Sequence, residues 1–311
     1  MKNVTVIIPN YNHAPYLEQR IQSVLDQSYQ DFEIILLDDC STDSSKEIIN
    51  RYKGNHKIAH VFFNEKNSGS PFGLWRYGIE KANGKYIWIA ESDDWADKEF
   101  LTEIVSVLEN TDAVMAHSHS FLYLNEKSKL NDWWDSFYFQ RWDSNYVEQG
   151  TLLLKEYGRY KCPVINVSSA VFKKDIILDD FYPVNYRYSG DWFFWVNVFM
   201  KGKVAFVSKP LNTIRVHNLS VTQNSKGMNI HKLYEDVRVI NHVNKRLNLN
   251  TDYNSNYSWL IDFWISVLKN RGGYFKKEYH DLDLPFSFKL AFYKRYFPLL
   301  LKKVVQKIAN K

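Results

Sequence analysis

The chain has 311 residues, 45% hydrophobic and 16% aromatic, which allows one large domain, or a domain with an appendage, around a sizeable core. Its two cysteines, Cys40 and Cys162, suggest no disulfide framework, so a reducing, cytoplasmic compartment is the expectation. The net charge of +5 is uneven: residues 285–311 hold six Lys, one Arg and no acid, leaving a slightly acidic body and arguing against a general nucleic-acid surface.

Val4 to Ile8 is a β-branched run stopped by Pro9-Asn10-Tyr11-Asn12, which predicts a strand and then a loop. The run is too short for a signal peptide or a membrane span. Pro15 to Ser28 carries Leu17, Ile21, Val24 and Leu25 at helical spacing, with Pro15 suited to the first turn. Phe32 to Leu37 predicts a second strand, ending in Asp38-Asp39 and a turn at Cys40-Ser41-Thr42-Asp43. Ser44 and Glu47 have capping-box spacing for a helix through Tyr52. A third strand over Lys57–Phe63 follows, then a loop at Asn67-Ser68-Gly69-Ser70-Pro71 and a helix to Ala82. The run Tyr86 to Ala90 reads as a short buried strand that ends at once in Glu91-Ser92-Asp93-Asp94. A helix from about Asp97 to Glu109 and a strand over Ala113–His117 come next.

Continuous apolar strands alternating with amphipathic helices predict an α/β fold, a mostly parallel sheet covered on both faces. In such sheets ligands lie beyond the carboxyl ends of the strands. Tyr11, Asp38-Asp39 and Glu91 to Asp94 all fall just past strand ends. Carboxylates crowded at a buried strand tip repel one another and lose hydration, and a divalent cation offsets both costs. Oxygen ligands of this kind suit Mg²⁺ or Mn²⁺, which usually also hold a substrate phosphate. A solvated acidic turn would explain any one cluster; three strand tips converging on one edge favour a site. The chain has no GxGxxG after the first strand and no GxxxxGK[ST], so neither a dinucleotide dehydrogenase nor a P-loop NTPase is favoured. What remains is a nucleotide held by an aromatic face and carboxylates, its diphosphate on a metal; Tyr11 is either a candidate to stack on the base or an ordinary loop tyrosine, and Asp39 is a candidate to accept the N–H of a pyrimidine ring.

Four segments carry a family resemblance: residues 6–12 (Val-Ile-Ile-Pro-Asn-Tyr-Asn), residues 23–43, Asn67 to Gly69 with Gly78 to Ile87, and Glu91 to Asp94. In this order and spacing, residues 4 to about 222 resemble the family-2 inverting glycosyltransferases of GT-A fold, of the type found in bacterial polysaccharide biosynthesis. The resemblance implies sugar transfer from a nucleotide diphosphate sugar to a hydroxyl. It implies that Pro9, Tyr11 and Asp39 line the nucleoside site, that Asp93 meets ribose or metal, and that Asp93 and Asp94 ligate the metal. Glu91 stands where the family usually has Asp and is a further ligand candidate, direct or through water. Cys40 replaces a usual Gly and Arg76 a usual Asn.

Residues 118–165 are less regular, and Trp133, Trp134 and Trp142 either stack on sugar rings or pack beneath a long loop. Val164 to Phe172 predicts another strand, with Asn166, Ser168 and Ser169 near the acceptor by resemblance. Asp191, after Ser189-Gly190, opens an aromatic helix, where a carboxylate is favoured as a cap. The resemblance places the catalytic base there. Lys203–Val207 and Leu211–Val216 predict paired strands leading to Arg215-Val216-His217-Asn218-Leu219-Ser220, which resembles the Arg-x-His-x-x-Ser that often ends the family's catalytic domain. Arg215 and His217 alternate onto one face, from which the resemblance has both reach the diphosphate, and His217 is either a further metal ligand or a structural histidine.

Beyond about Asn224 the resemblance stops, and a GT-A domain over 1–224 with a helical region over 225–311 is expected. His231–Leu247 and Ser258–Leu268 have helical spacing. Leu290, Tyr293, Phe297, Leu301, Val304 and Ile308 recur every three or four residues among Lys and Arg, with Pro298 expected to kink or restart the helix. A basic amphipathic helix reads as a peripheral membrane contact; docking on the body is the alternative. The expected protein is thus a Mn²⁺- or Mg²⁺-dependent inverting glycosyltransferase, using a UDP-sugar and a glycan or lipid-linked acceptor. The alternatives are a nucleotidyltransferase, which usually opens with a Gly-rich basic loop that is absent here, and a non-catalytic sugar-binding protein.

Overall fold

The computed structural model describes residues 2–131, 141–183, 185–217, 230–270 and 284–309, in two compact units, Met1–Asn218 and Leu219–Lys311. Trp133, Trp134 and the expected boundary at 224 lie outside the described residues.

The first unit is built on β1 (Val4–Asn10), α1 (Ala14–Leu25), β2 (Phe32–Asp38), α2 (Ser45–Tyr52), β3 (Ile58–Phe63), α3 (Phe72–Lys81) and β4 (Tyr86–Ile89). β1, β2 and β4 are buried along their whole length, the signature of strands covered on both faces. Val4, Val6 and Ile8 pack with Leu17, Ile21, Val24 and Ile48 from α1 and α2. On β1's other face Ile7 lies so close to Gly78 of α3 that an added Cβ would sit 2.6 Å from it.

Six further strands follow, β5 (Trp95–Ala96), β6 (Ala113–Leu124), β7 (Lys127–Leu130), β8 (Tyr146–Gln149), β9 (Ala170–Lys173) and β10 (Lys203–Arg215), and the sheet order is β3-β2-β1-β4-β9-β6-β10-β5, with β7 on β6 and β8 on β10. From β3 to β4 every pairing is parallel, as expected. Beyond β4 the sheet is mixed, because β9 (Ala170–Lys173) enters antiparallel between β4 and β6 (Ala113–Leu124). The chain runs outward from β1 to β3 and then returns to β1's other side as β4, so β1 marks the switch point.

Three expectations need correction. Lys203–Val207 and Leu211–Val216 are not two paired strands but one, β10 (Lys203–Arg215), which pairs parallel with β6 and absorbs Pro210 at register shifts. Proline lacks the ladder donor, so a bulge accommodates it. The segment from Val164 becomes a strand only at Ala170, after a 3₁₀ turn over Val167–Ser169. Ser44 occupies the N-cap of α2 without a side-chain cap bond; Asp43 Oδ1 accepts from Ser45 N at 3.0 Å instead. β5 (Trp95–Ala96), β7 (Lys127–Leu130) and β8 (Tyr146–Gln149) are too short or too polar to show in the hydropathy pattern.

The helices α4 (Phe100–Asn110), α5 (Gly150–Leu153) and α6 (Gly190–Phe199) complete this unit. Trp142 is buried against Tyr157 and Phe206, which decides its role as packing. The second unit contains α7 (Ile230–Arg246), α8 (Ser258–Asn270) and α9 (Phe286–Ala309). α9 runs as one helix through Pro298, so of the two expected outcomes, a kink or a restart, the restart does not occur.

Candidate active site

The carboxyl ends of β2, β1 and β4 lie side by side, and each delivers polar groups to the same edge. At the end of β2, Asp38 is a structural anchor. Its Oδ1 accepts from Asn10 Nδ2 at 2.8 Å and Ser41 Oγ at 2.6 Å, which ties the β1 and β2 loops together. Asp39 faces the next loop. It accepts from Asn64 Nδ2 at 2.6 Å, Ser68 N at 3.0 Å and Ser68 Oγ at 2.8 Å. Tyr11 stands exposed beside them, while Pro9 is buried inside β1 opposite Leu37.

Past β4, the acids expected to share one cation have three different posts. Glu91 Oε1 accepts the indole N–H of Trp75 at 3.1 Å. Burial, then the charges of Asp93 and Asp94, push its carboxyl up to about 8. Asp94 is buried and hydrogen-bonded at both oxygens, from Arg215 N at 3.1 Å, Asn166 Nδ2 at 3.0 Å and Ser168 Oγ at 2.9 Å. Burial and Asp93 raise it to about 7. Asp94 therefore fastens β4's loop to the β9 entry and the end of β10. Asn166 and Ser168, expected at the acceptor, are part of that fastening.

Asp93 alone turns toward imidazoles. His217 Nε2 lies 3.0 Å from Asp93 Oδ2, and His13 Nδ1 lies 2.8 Å from Ser92 Oγ. The ligand atoms of His13, Asp93 and His217 all fall within 4.8 Å of one another. Burial would raise Asp93, but the His217 hydrogen bond and the neighbouring His13 outweigh it and hold the carboxyl below its usual range. Burial pushes the His13 imidazole down. A carboxylate and two imidazoles whose ligand atoms lie this close are a donor set of the kind divalent metals take, so these residues fit a divalent metal. His13 was missed in the sequence because a lone histidine after a loop asparagine carries no spacing signal.

Two arginines brace the group. Arg215 donates through Nε to Asp93 O at 3.0 Å and packs over Tyr16 at 4.7 Å and Trp95 at 4.6 Å. It thereby pins the acidic loop. Arg20 is fully buried, with Nε on Glu91 O at 2.8 Å. Its terminal nitrogens have no hydrogen-bond partner among the described residues, and burial lowers it to about 10 against the pull of Asp94, Asp93 and Glu91. It is the cation beneath the acids that no sequence pattern announced.

Asp191 sits in the first turn of α6, part-exposed, with Oδ1 accepting from Trp192 N at 2.7 Å. Contacts link this turn to the acidic loop. Trp75, bonded to Glu91, packs against Phe72 at 4.9 Å and Phe194 at 5.7 Å, and Gly190 abuts the Phe72 ring.

Residues 5–177 match glycosyl transferase family 2. The chain belongs to that family. Among family relatives, the GalNAc(5)-diNAcBac-PP-undecaprenol beta-1,3-glucosyltransferase of Campylobacter jejuni is 22% identical over 292 residues, covering 91% of this chain and 89% of its own. An uncharacterized glycosyltransferase of Haemophilus influenzae is 40% identical over 119 residues, 38% of this chain and 47% of its own. The match covers only 33% of an uncharacterized Rickettsia felis glycosyltransferase, so the chain spans a third to a half of these two longer partners. Staphylococcus aureus TarS 1–349 superposes with a TM-score of 0.62 at 19% identity, covering 94% of this chain and 78% of that one. The mannosyltransferase PcManGT of Pyrobaculum calidifontis gives 0.57 at 15%, covering 88% and 76%. At these identities the likeness shows the fold, which is GT-A.

Proposed function

We propose that this family-2 protein transfers a sugar, with inversion, from a nucleotide diphosphate sugar to a hydroxyl of a glycan or lipid-linked acceptor. The observation that carries the reading is the His13, Asp93 and His217 group at the sheet's switch point, beside the Asp39 loop. TarS has been solved with UDP and with UDP-GlcNAc, and PcManGT with GDP-Man and Mn²⁺, which supports a nucleotide sugar and favours UDP here. The name of the C. jejuni relative specifies an undecaprenol-linked acceptor. A lipid-linked acceptor lies in a membrane surface, so the reading includes peripheral contact with one.

His13, Asp93 and His217 would hold Mn²⁺ or Mg²⁺, which supplies Lewis-acid stabilisation of the departing diphosphate. Tyr11 stacks on the base and Asp39 accepts its ring N–H, once Asn64 or Ser68 gives way. Asp191 takes the proton from the acceptor hydroxyl as its oxygen bonds to C1 and the bond from C1 to the diphosphate oxygen breaks. Arg215 keeps Asp93 aimed at the donor. Family membership weighs against a nucleotidyltransferase, and donor hydrolysis separates an enzyme from a sugar-binding relative.

The test is a panel of nucleotide sugars assayed with Mn²⁺ or Mg²⁺ against wild type and Asp191→Asn. Turnover in the variant should fall by roughly 10²-fold or more with UDP affinity unchanged. Wild-type turnover in Asp191→Asn would remove the base.

A further inference from the structure

α9 carries two apolar faces; among the described residues one packs against the protein and the other is exposed. Phe288, Ala291 and Tyr296 are buried. Phe288 packs against Tyr253 at 5.1 Å and against Trp264 of α8 at 5.3 Å. Arg295, on this same side, donates to Ser258 O at 3.0 Å and to Asp262 at 3.3 Å. That set accounts for docking. The other set is Phe286, Leu290, Tyr293, Phe297, Leu301 and Val305, each between 41 and 79% exposed. The first five recur at spacings of four, three, four and four, which places them on one stripe. Lys289 and Lys294 border the stripe, and both are exposed.

We infer that this outward stripe of α9 is a membrane-docking face that lies in the interface of an anionic lipid bilayer. Six large apolar side chains in a row in water need a covering surface. Charge selects which one. Residues 285–311 hold seven basic side chains and no acid, so a second copy laid face to face would set like charges against each other. An anionic headgroup layer complements them, while the apolar stripe enters the acyl boundary. Among the described residues no helix is long and apolar enough to cross a membrane, so the geometry is that of a helix lying in the surface. The inference deepens the membrane contact in the proposed function and is independent of the chemistry at Asp93.

The experiment uses the full chain with vesicles of phosphatidylcholine alone or mixed with phosphatidylglycerol, read by co-sedimentation at low and high salt. Binding should require phosphatidylglycerol and weaken with salt. Lys289→Glu/Lys294→Glu should weaken it by about tenfold or more, and Phe297→Glu/Leu301→Glu should abolish it. Both variants should keep the wild-type circular dichroism and donor hydrolysis in solution. Equal vesicle binding by wild type and Phe297→Glu/Leu301→Glu would overturn the inference, as would equal binding to both lipid compositions. So would a concentration-dependent dimer that this variant disperses, since the stripe would then cover itself. Loss of hydrolysis in Asp191→Asn, with vesicle binding intact, keeps the two readings separable.

Discussion

Asp93 differs from its neighbours by what surrounds it. Glu91 faces an indole N–H, Asp94 faces three hydrogen-bond donors, and Asp93 faces His217, with His13 near by. One acidic segment therefore divides into a residue held by an indole, a residue held by three donors, and a residue turned toward two imidazoles, the proposed ligand. From the sequence the segment could be picked out as a candidate site, with Asp93 and His217 as candidates that the structure places side by side. The division could not be read, because it depends on Asn166, Ser168, Trp75 and Arg215 arriving from distant points in the chain. Asp94→Ala should accordingly act first on stability: three donors lose their acceptor, at roughly 2–4 kcal/mol, measured by urea unfolding. His13→Ala should leave stability near wild type and weaken Mn²⁺ binding by at least about tenfold, read by electron paramagnetic resonance of free Mn²⁺. Cys40 adopts φ +62°, a left-handed conformation that strains any residue with a Cβ. Cys40→Gly should thus stabilise the protein by about 0.5–1 kcal/mol, seen as a higher melting temperature, whereas Cys40→Val should lower it.

At the scale of elements, apolar runs and helical periodicity were enough to place β1 to β4 and α1 to α4, since buried parallel strands and amphipathic helices write themselves into hydropathy. β10 was misread as two strands because Pro210 is a strand breaker unless a bulge absorbs it, and the bulge is set by β6, not by local sequence. β6 carries an unforeseen feature. His117 is buried beside Phe206 and Phe199, with no hydrogen-bond partner at either ring nitrogen among the described residues. Burial, then His119, pushes its imidazole down to about 3. The folded protein therefore binds fewer protons here than the unfolded chain. This site's contribution is intact above pH 6.5, the usual value, and is lost as pH falls from there toward about 3. His117→Leu should flatten the acid limb of the stability curve by up to a few kcal/mol, measured as unfolding free energy against pH. Gly190 tests the seat of the proposed base. An added Cβ would lie 2.3 Å from the Phe72 ring. Gly190→Ala should cost roughly 1–3 kcal/mol and reduce turnover more than UDP affinity, since it displaces the first turn of α6.

Across the whole molecule, the order of motifs was legible because each sits where a strand of the parallel half ends, and strand ends meet at the switch point. The mixed half was less legible, its pairing partners being fixed by β9 inserting between β4 and β6. In the second unit, helical spacing gave the helices but not their faces. The stripe read from the sequence is largely the exposed one, and Phe288, Ala291 and Tyr296 do the packing. The proposed enzyme needs all of this only to present one cation site to a donor diphosphate. Calorimetric titration of UDP, with and without Mn²⁺, into wild type and Asp93→Asn addresses that most directly. Wild type should bind UDP about tenfold or more tightly when Mn²⁺ is present, and Asp93→Asn should show no such gain. Equal UDP affinity with and without Mn²⁺ in wild type, or an undiminished gain in Asp93→Asn, would contradict the account.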